Sequence, residues 1–276
     1  MKSYSDRPTC LPLNNGPLVH AITNSISNEF VANSLLAIGA KSMMTEDRRE
    51  LPTVIKVADA LFLNLGQMTL DKENVIKEAA CLANQYHKPM VVDAVGITQL
   101  PNRLHLVKDL LRLTPQVVKG NTSEIRALLG LSSQARGVDG WQADQSGSRL
   151  MQLGKALKDF SKAHPETCFL ATGPTDIVAV NGKIWWLTNG SSNLDRITGT
   201  GDVVGALIAG FLGDQLDKLE ACLQGVTYFN LCGEKAAKRY PNALGSFRQE
   251  LLDQLGCLYR EHNWQEAATI REEKNE

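Results

Sequence analysis

Apolar positions along the chain fall into short continuous runs separated by segments of helical spacing. The runs cover residues 18–22 (LVHAI), 60–65 (ALFLNL), 88–96 (KPMVVDAVG), 115–121 (PQVVKGN) and 167–173 (TCFLATG). Runs of this length, rich in β-branched residues and set between helix-length segments, predict strands of a parallel sheet covered on both faces. Residues 27–39 (SNEFVANSLLAIG) and 72–87 (KENVIKEAACLANQYH) read as helices, the first ending on a glycine. Residues 176–187 hold two apolar runs around Asn181-Gly182, the pair that suits a type I′ turn, and predict an antiparallel hairpin at the sheet edge. From Gly201 onward the pattern is mostly helical, over 201–213, about 216–238 and about 246–260. Residues 132–148 are polar and rich in Gly and Ser, which predicts a surface loop. The charged end REEKNE (271–276) reads as a solvated tail. The expected fold is one α/β domain over 1–276: a central, mostly parallel sheet with helices on both faces, an antiparallel edge hairpin and a helical C-terminal part.

Composition narrows the function classes. The 276 residues carry a formal net charge of -1, with 43% hydrophobic and 21% charged residues, which suits a soluble globular domain. The concentrated basic face of a nucleic-acid protein is not expected. No apolar run approaches the ~18 residues of a membrane span, and the start MKSYSDRPTC has no apolar signal-peptide core. A cytoplasmic protein with no membrane partner is expected. The six cysteines (10, 81, 168, 222, 232, 257) and five histidines (20, 87, 105, 164, 262) are scattered without metal-ligand spacing, so zinc chemistry is not expected. The cysteines are expected to be reduced and mostly buried.

In open α/β sheets, ligands bind beyond the carboxyl ends of the strands. That rule selects Asn24 after the first strand, Asn64 and Gly66 after the second, and Asp93 and Gly96 after the third. It also selects residues 121–124 after the fourth strand and Thr172 with Gly173 after the fifth.

The stretch ITGTGDVVGALIAG (197–210) adds a glycine loop running into an apolar helix, with Asp202 where the loop ends. Two readings of it are open. In the plain one, Asp202 caps a helix and the glycines make the turn. In the other, free backbone N–H groups of Gly199, Thr200 and Gly201 form an anion hole, and Asp202 takes a proton from a substrate hydroxyl. Phosphoryl transfer needs charge stabilisation and positioning and little else from the protein, so one carboxylate beside such a loop suffices. The spacing is one residue longer than the dinucleotide fingerprint, and no Walker sequence occurs. Asn121-Thr122-Ser123-Glu124 likewise has two readings: the N-x-x-E of a capping box, or Glu124 helping to hold Mg²⁺ through water against nucleotide phosphates, with Asp93 assisting.

Taken together, several segments resemble the hydroxyethylthiazole kinases of thiamin salvage, within the ribokinase-like kinases. They are VHAITNSISNEFVANSLLAIGAKSMM (19–44), ALFLNLGQM (60–68), VVDAVG (91–96), VVKGNTSEI (117–125), ATGPTDIV (171–178), NGSSNLDRITGTGD (189–202) and LGSFRQELLDQL (244–255). They keep their order across nearly the whole chain. The resemblance implies a ribokinase-like fold and ATP-dependent phosphorylation of a thiazole alcohol. It implies that Asn24 and Met44 contact the alcohol, that Gly199 lines its hydroxyl end, and that Asn64 and Gly66 lie near the same pocket. It further implies ATP contacts from Lys119 and Thr172, beside Asn121 and Gly173, and Asp93 and Glu124 near Mg²⁺ and the phosphates. It also implies a homotrimer with the active site between neighbouring subunits.

The chain departs from that pattern at several positions. Asp202 stands where many thiazole kinases have cysteine, and is the better base for an alcohol proton near neutral pH. Lys119 replaces the usual arginine and loses its bidentate phosphate geometry. Ala94 replaces a proline, and ITQLPNR (97–103) replaces a glycine-rich loop bordering the phosphates. Alternative readings are a kinase for another heterocyclic alcohol, pyrimidine or pyridoxal-like, and a nucleotide-binding sensor without transfer. A sugar kinase is disfavoured, because no β lid intervenes between Asn24 and the first helix.

Overall fold

The computed structural model describes residues 9–133, 142–261 and 263–273. Residues 134–141 of the expected surface loop and 274–276 of the charged end lie outside them. A nine-stranded sheet has the order β2-β1-β3-β4-β5-β6-β7-β8-β9. Its strands are β1 (Leu18–Ile22), β2 (Lys41–Met43), β3 (Ala60–Asn64), β4 (Met90–Asp93), β5 (Val117–Asn121), β6 (Cys168–Thr172), β7 (Asp176–Val180), β8 (Lys183–Leu187) and β9 (Ile270–Glu272). Neighbours from β2 to β6 pair parallel, and those from β6 to β9 antiparallel.

Nine helices are seen among the described residues: α1 (Asn28–Ala37), α2 (Leu51–Val57), α3 (Leu70–Gln85), α4 (Pro101–Leu111), α5 (Thr122–Leu128), α6 (Gly147–Ala163), α7 (Thr200–Gly213), α8 (Lys218–Arg239) and α9 (Leu244–Cys257). Strand side chains alternate between two cores. Val19, Ala21, Phe62, Val91 and Leu170 pack with α1, α7, α8 and α9. Leu61, Leu63, Val92, Val118 and Phe169 pack with α2 to α6. Both sheet faces are covered, which is why the central strands are continuous apolar runs.

The expected hairpin forms, with Asn181 at φ 46° and Gly182 at φ 75°, but it is not the edge. Arg271 and Glu272, expected in a solvated tail, belong to β9 and pair with Trp186 and Trp185. Segment 97–103 is not all loop either, because α4 starts at Pro101. The short elements β2 and α2 stand in a region where no periodic signal predicts them. Cys81 and Cys257 are exposed rather than buried.

Helix α7 is the central buttress, with every residue from Val203 to Leu212 buried. A Cβ on Gly205 would lie 2.4 Å from Phe62 Cε2 and 3.2 Å from Lys119 Cδ. The Phe62 ring is fully buried and cannot swing away. Gly205→Ala is therefore expected to cost about 1–3 kcal/mol through overpacking, read as a lower midpoint in urea unfolding.

Candidate active site

The strand order reverses between β1 and β3, and this switch point is where such sheets bind ligands. Asn24 lies just past β1. Its Oδ1 accepts from the backbone N–H groups of Ile26 at 3.1 Å and Ser27 at 3.2 Å, a turn that fixes which way its amide points. The amide nitrogen then donates to Asn64 Oδ1 at 3.2 Å and to Asp202 Oδ2 at 2.8 Å. Asn64 ends β3 and donates to Asp202 Oδ1 at 3.0 Å, while its own oxygen accepts from Gly66 N at 2.8 Å. A Cβ on Gly66 would fall 2.8 Å from Asn64 Oδ1 and 3.1 Å from Asn24 Nδ2, so the glycine gives the two amides their space.

Each oxygen of Asp202 thus takes one side-chain amide from a different strand end. The plain reading holds in part: glycine makes the turn and the helix field favours an acid in the first turn, but Asp202 makes no side-chain cap. The N-cap of α7 is Gly199, no side chain caps it, and Asp202 lies in the first turn with its carboxylate turned toward the strands. Gly199 has φ 92°, and a Cβ there would sit 2.9 Å from Ser27 Cβ; both facts require glycine. The first N–H groups of α7 have no partner within the helix and collect positive field at Gly199, Thr200 and Gly201. Thr200 contributes its backbone there, because its hydroxyl donates to the carbonyls of Leu194 at 3.1 Å and Ile197 at 3.2 Å.

Asp202 looks isolated in the sequence but is not isolated in the fold. Lys119 Nζ pairs with Asp93 Oδ2 at 2.7 Å, both side chains nearly sealed. The same ammonium lies 3.7 Å from where a Gly201 Cβ would be, so it stands beneath the glycine loop. Asn64 also reaches Asp93 Oδ2 at 3.4 Å, which links the two acids through one amide.

Glu124 fulfils the capping-box reading: Asn121 Oδ1 accepts from Glu124 N at 2.9 Å, and Glu124 Oε2 accepts from Asn121 N at 2.7 Å. It does more than cap, since Oε1 accepts from Gly96 N at 2.7 Å and ties α5 to the turn after β4. On the neighbouring strand Thr172 donates to Gly120 O at 3.3 Å, and Gly173 N donates to Asp176 Oδ1 at 2.9 Å. Asn121 and Thr172 are register partners, so Asn121, Thr172 and Gly173 form one continuous rim next to Lys119. Met44 stands apart. It follows β2, is half-buried, and packs on the α1 and α7 core rather than in the polar cluster.

Lys72, Arg103 and His20 belong to this region without a sequence signal to mark them. Lys72 reaches back from α3 to the carbonyl of Thr23. Arg103 donates to Val95 O at 3.1 Å, holding one end of the 95–96 peptide whose N–H Glu124 holds. His20 Nε2 bonds the carbonyl of Thr45 at 2.9 Å. A groove of about 660 Å³ beside Met151, Lys155 and Lys158 on α6 involves none of these residues.

Burial pushes the buried acids up: Asp93 to about 6, opposed by Lys119, and Glu124 to about 7. Asp176 rises to about 7 by burial, although Gly173 N and Asn230 Nδ2 both donate to it. The folded protein therefore holds protons that the unfolded chain releases. The stability they give is complete below the ordinary carboxylate range and is lost as pH rises through about 7. Thermal unfolding of the unliganded protein is expected at a higher temperature near pH 5.5 than near pH 8, and Asp176→Asn, which cannot ionise, should flatten part of that slope.

No group of three or more His, Cys, Asp or Glu side chains that could hold a metal ion occurs among the described residues. Magnesium keeps several waters and binds through one or two carboxylates plus phosphates, and Asp93 and Glu124 are the buried acids here whose charge would suit it.

A sequence profile of the hydroxyethylthiazole kinase family matches residues 13–261. The chain is 44% identical over 262 residues to a hydroxyethylthiazole kinase of Lacticaseibacillus casei, covering 95% of this chain and 94% of the relative. It is 46% identical over 253 residues to hydroxyethylthiazole kinase 2 of Streptococcus pneumoniae, covering 92% and 93%. The solved hydroxyethylthiazole kinase structure from Pyrococcus horikoshii superposes with a TM-score of 0.81 at 31% identity, covering 95% and 96%. A pyridoxal kinase from Staphylococcus aureus shares the fold alone, with a TM-score of 0.57 at 16% identity over 76% of this chain and 84% of that one. With a profile spanning most of its length and relatives well above 30% identity, this chain belongs to the hydroxyethylthiazole kinase family.

Proposed function

We propose that this chain transfers the γ-phosphoryl group of ATP to the primary alcohol of 4-methyl-5-(2-hydroxyethyl)thiazole, feeding thiamin phosphate synthesis. The observation that carries this reading is the placement of Asp202. Its carboxylate is held by Asn24 and Asn64 in the first turn of α7, next to backbone N–H groups without helical partners.

Asp202 accepts the alcohol proton as the oxygen attacks phosphorus. Charge on the transferring phosphoryl group meets the N–H groups at Gly199, Thr200 and Gly201, with Lys119 beneath them. Asn24, Asn64 and Gly66 form the alcohol side of the site, Met44 borders it from the segment after β2, and Lys119, Asn121, Thr172 and Gly173 form the ATP side. Asp93 and Glu124 would hold Mg²⁺, which when bound neutralises phosphate charge.

The working unit in this reading is a homotrimer, with each site completed by a neighbouring subunit. Apolar side chains exposed around the alcohol side support this: Ile26 at 63%, Met43 at 36% and Leu70 at 78%. The function is tested by product identity. With Mg-ATP and the thiazole alcohol, phosphorus NMR should show a monophosphate ester growing in step with ADP. ADP formed with inorganic phosphate and no ester would count against it.

A further inference from the structure

Lys72 occupies a poor position for a lysine. It lies in the first turn of α3, where Thr69 caps the backbone and the helix field disfavours a cation. Its side chain is only 8% exposed, and burying an ammonium costs free energy unless it is paired. Burial also pushes its pKa down. A methionine or leucine would fill the space without that cost, and Glu46, 43% exposed, keeps its hydration when the lysine is gone.

The ammonium's partners show what the lysine does. It donates to the carbonyl of Thr23, in the peptide bond leading into Asn24, and it pairs with Glu46 Oε1 at 3.4 Å. Glu46 stands two residues beyond Met44, on the segment that leaves the outer strand β2. One side chain from α3 therefore ties together the two segments that carry Asn24 and Met44. His20, fully buried in β1, adds a second tie to the same segment through Thr45 O. Lys72 also lies within electrostatic reach of Asp202.

We propose that Lys72 is a positioning residue for the alcohol side of the site. By anchoring the Thr23 carbonyl and the 44–46 segment, it holds Asn24 against Asp202 and fixes the wall that faces the thiazole ring. This rests on the reading above that the alcohol lies beside Asn24 and Met44. Lys119, Asn121 and Thr172, on the opposite flank, do not depend on it.

The test uses the full-length protein, with Lys72→Met and Glu46→Gln as variants. Calorimetric titration with the thiazole alcohol, without nucleotide, is combined with steady-state KM values for alcohol and ATP and with thermal melts. Lys72→Met should weaken alcohol binding and raise the alcohol KM by about tenfold, the loss of one charged hydrogen bond. The ATP KM and the melting temperature should hold. Glu46→Gln, at a side chain 43% exposed, perturbs folding little and should weaken alcohol binding by about threefold; this keeps the test decisive if Lys72→Met does not fold. Unchanged alcohol affinity in the folded variants, or alcohol and ATP KM values rising together, overturns the positioning role. Failure of the wild-type protein to bind the alcohol would instead overturn the functional reading, and this proposal with it.

Discussion

Replacing Asp202 with asparagine is expected to lower turnover by about 10²- to 10⁴-fold, the range for loss of a general base, with ATP binding retained. The substitution conserves size but removes the proton acceptor. It also puts an NH₂ group toward one of two donors, since Asn24 Nδ2 and Asn64 Nδ2 each point at one carboxylate oxygen. Asn24 cannot turn its amide over without releasing Ile26 N and Ser27 N, so one donor is left unmatched at a cost of about 1–3 kcal/mol. That cost falls on the alcohol side. In the proposed site ATP meets the backbone of the glycine loop and the β5–β6 rim, which the substitution leaves in place. Single-turnover rates with calorimetric ATP titration separate the two effects. Activity within a few-fold of wild type would mean that Asp202 is not the base.

The second large effect is expected at Lys119. Its pair with Asp93 is almost completely buried, and removing one partner of such a pair costs about 3–5 kcal/mol. Lys119→Met should therefore unfold at much lower urea near neutral pH. The penalty should shrink in mild acid, because Asp93 already titrates near 6 beside the cation and a protonated carboxyl needs no partner. Adding Asp93→Asn should restore most of the stability. It should not restore ATP affinity, because the ammonium beneath Gly201 remains absent. A stability loss independent of pH and of Asp93 would place the cause elsewhere.

What the sequence makes legible follows from burial. Strands β3, β4 and β6 lie between two layers of helices and read as near-continuous apolar runs, while β1 and β5 carry His20 and Lys119 within theirs. The type I′ turn at Asn181-Gly182 is legible because only such residues take positive φ at both positions. Strand β2 is three residues long with its first and last side chains exposed, and α2 has seven residues, too few for a helical period to register. Strand β9 presents Arg271 and Glu272 at the open edge, and charged edges are how sheets discourage further pairing; by composition it resembles a tail.

The site divides the same way. Gly199, Asp202, Asn121 and Glu124 stand in local patterns with a mechanical meaning. The contacts that give them chemistry do not, since 178 positions separate Asn24 from Asp202 and 138 separate Asn64 from Asp202. Only the reversal of strand order between β1 and β3 brings them together. Lys72 and Arg103 look like ordinary helix-surface positions until the fold turns one back on Thr23 and the other on Val95.

The central claim is tested most directly by initial rates of ADP release from Mg-ATP with the thiazole alcohol, measured beside a pyrimidine alcohol, pyridoxal and ribose. Membership of the hydroxyethylthiazole kinase family predicts a kcat/KM for the thiazole alcohol above each of the others by about a hundredfold or more. Equal or faster turnover of another alcohol would contradict the assigned substrate, and ATP binding without turnover of any alcohol would contradict the kinase reading itself.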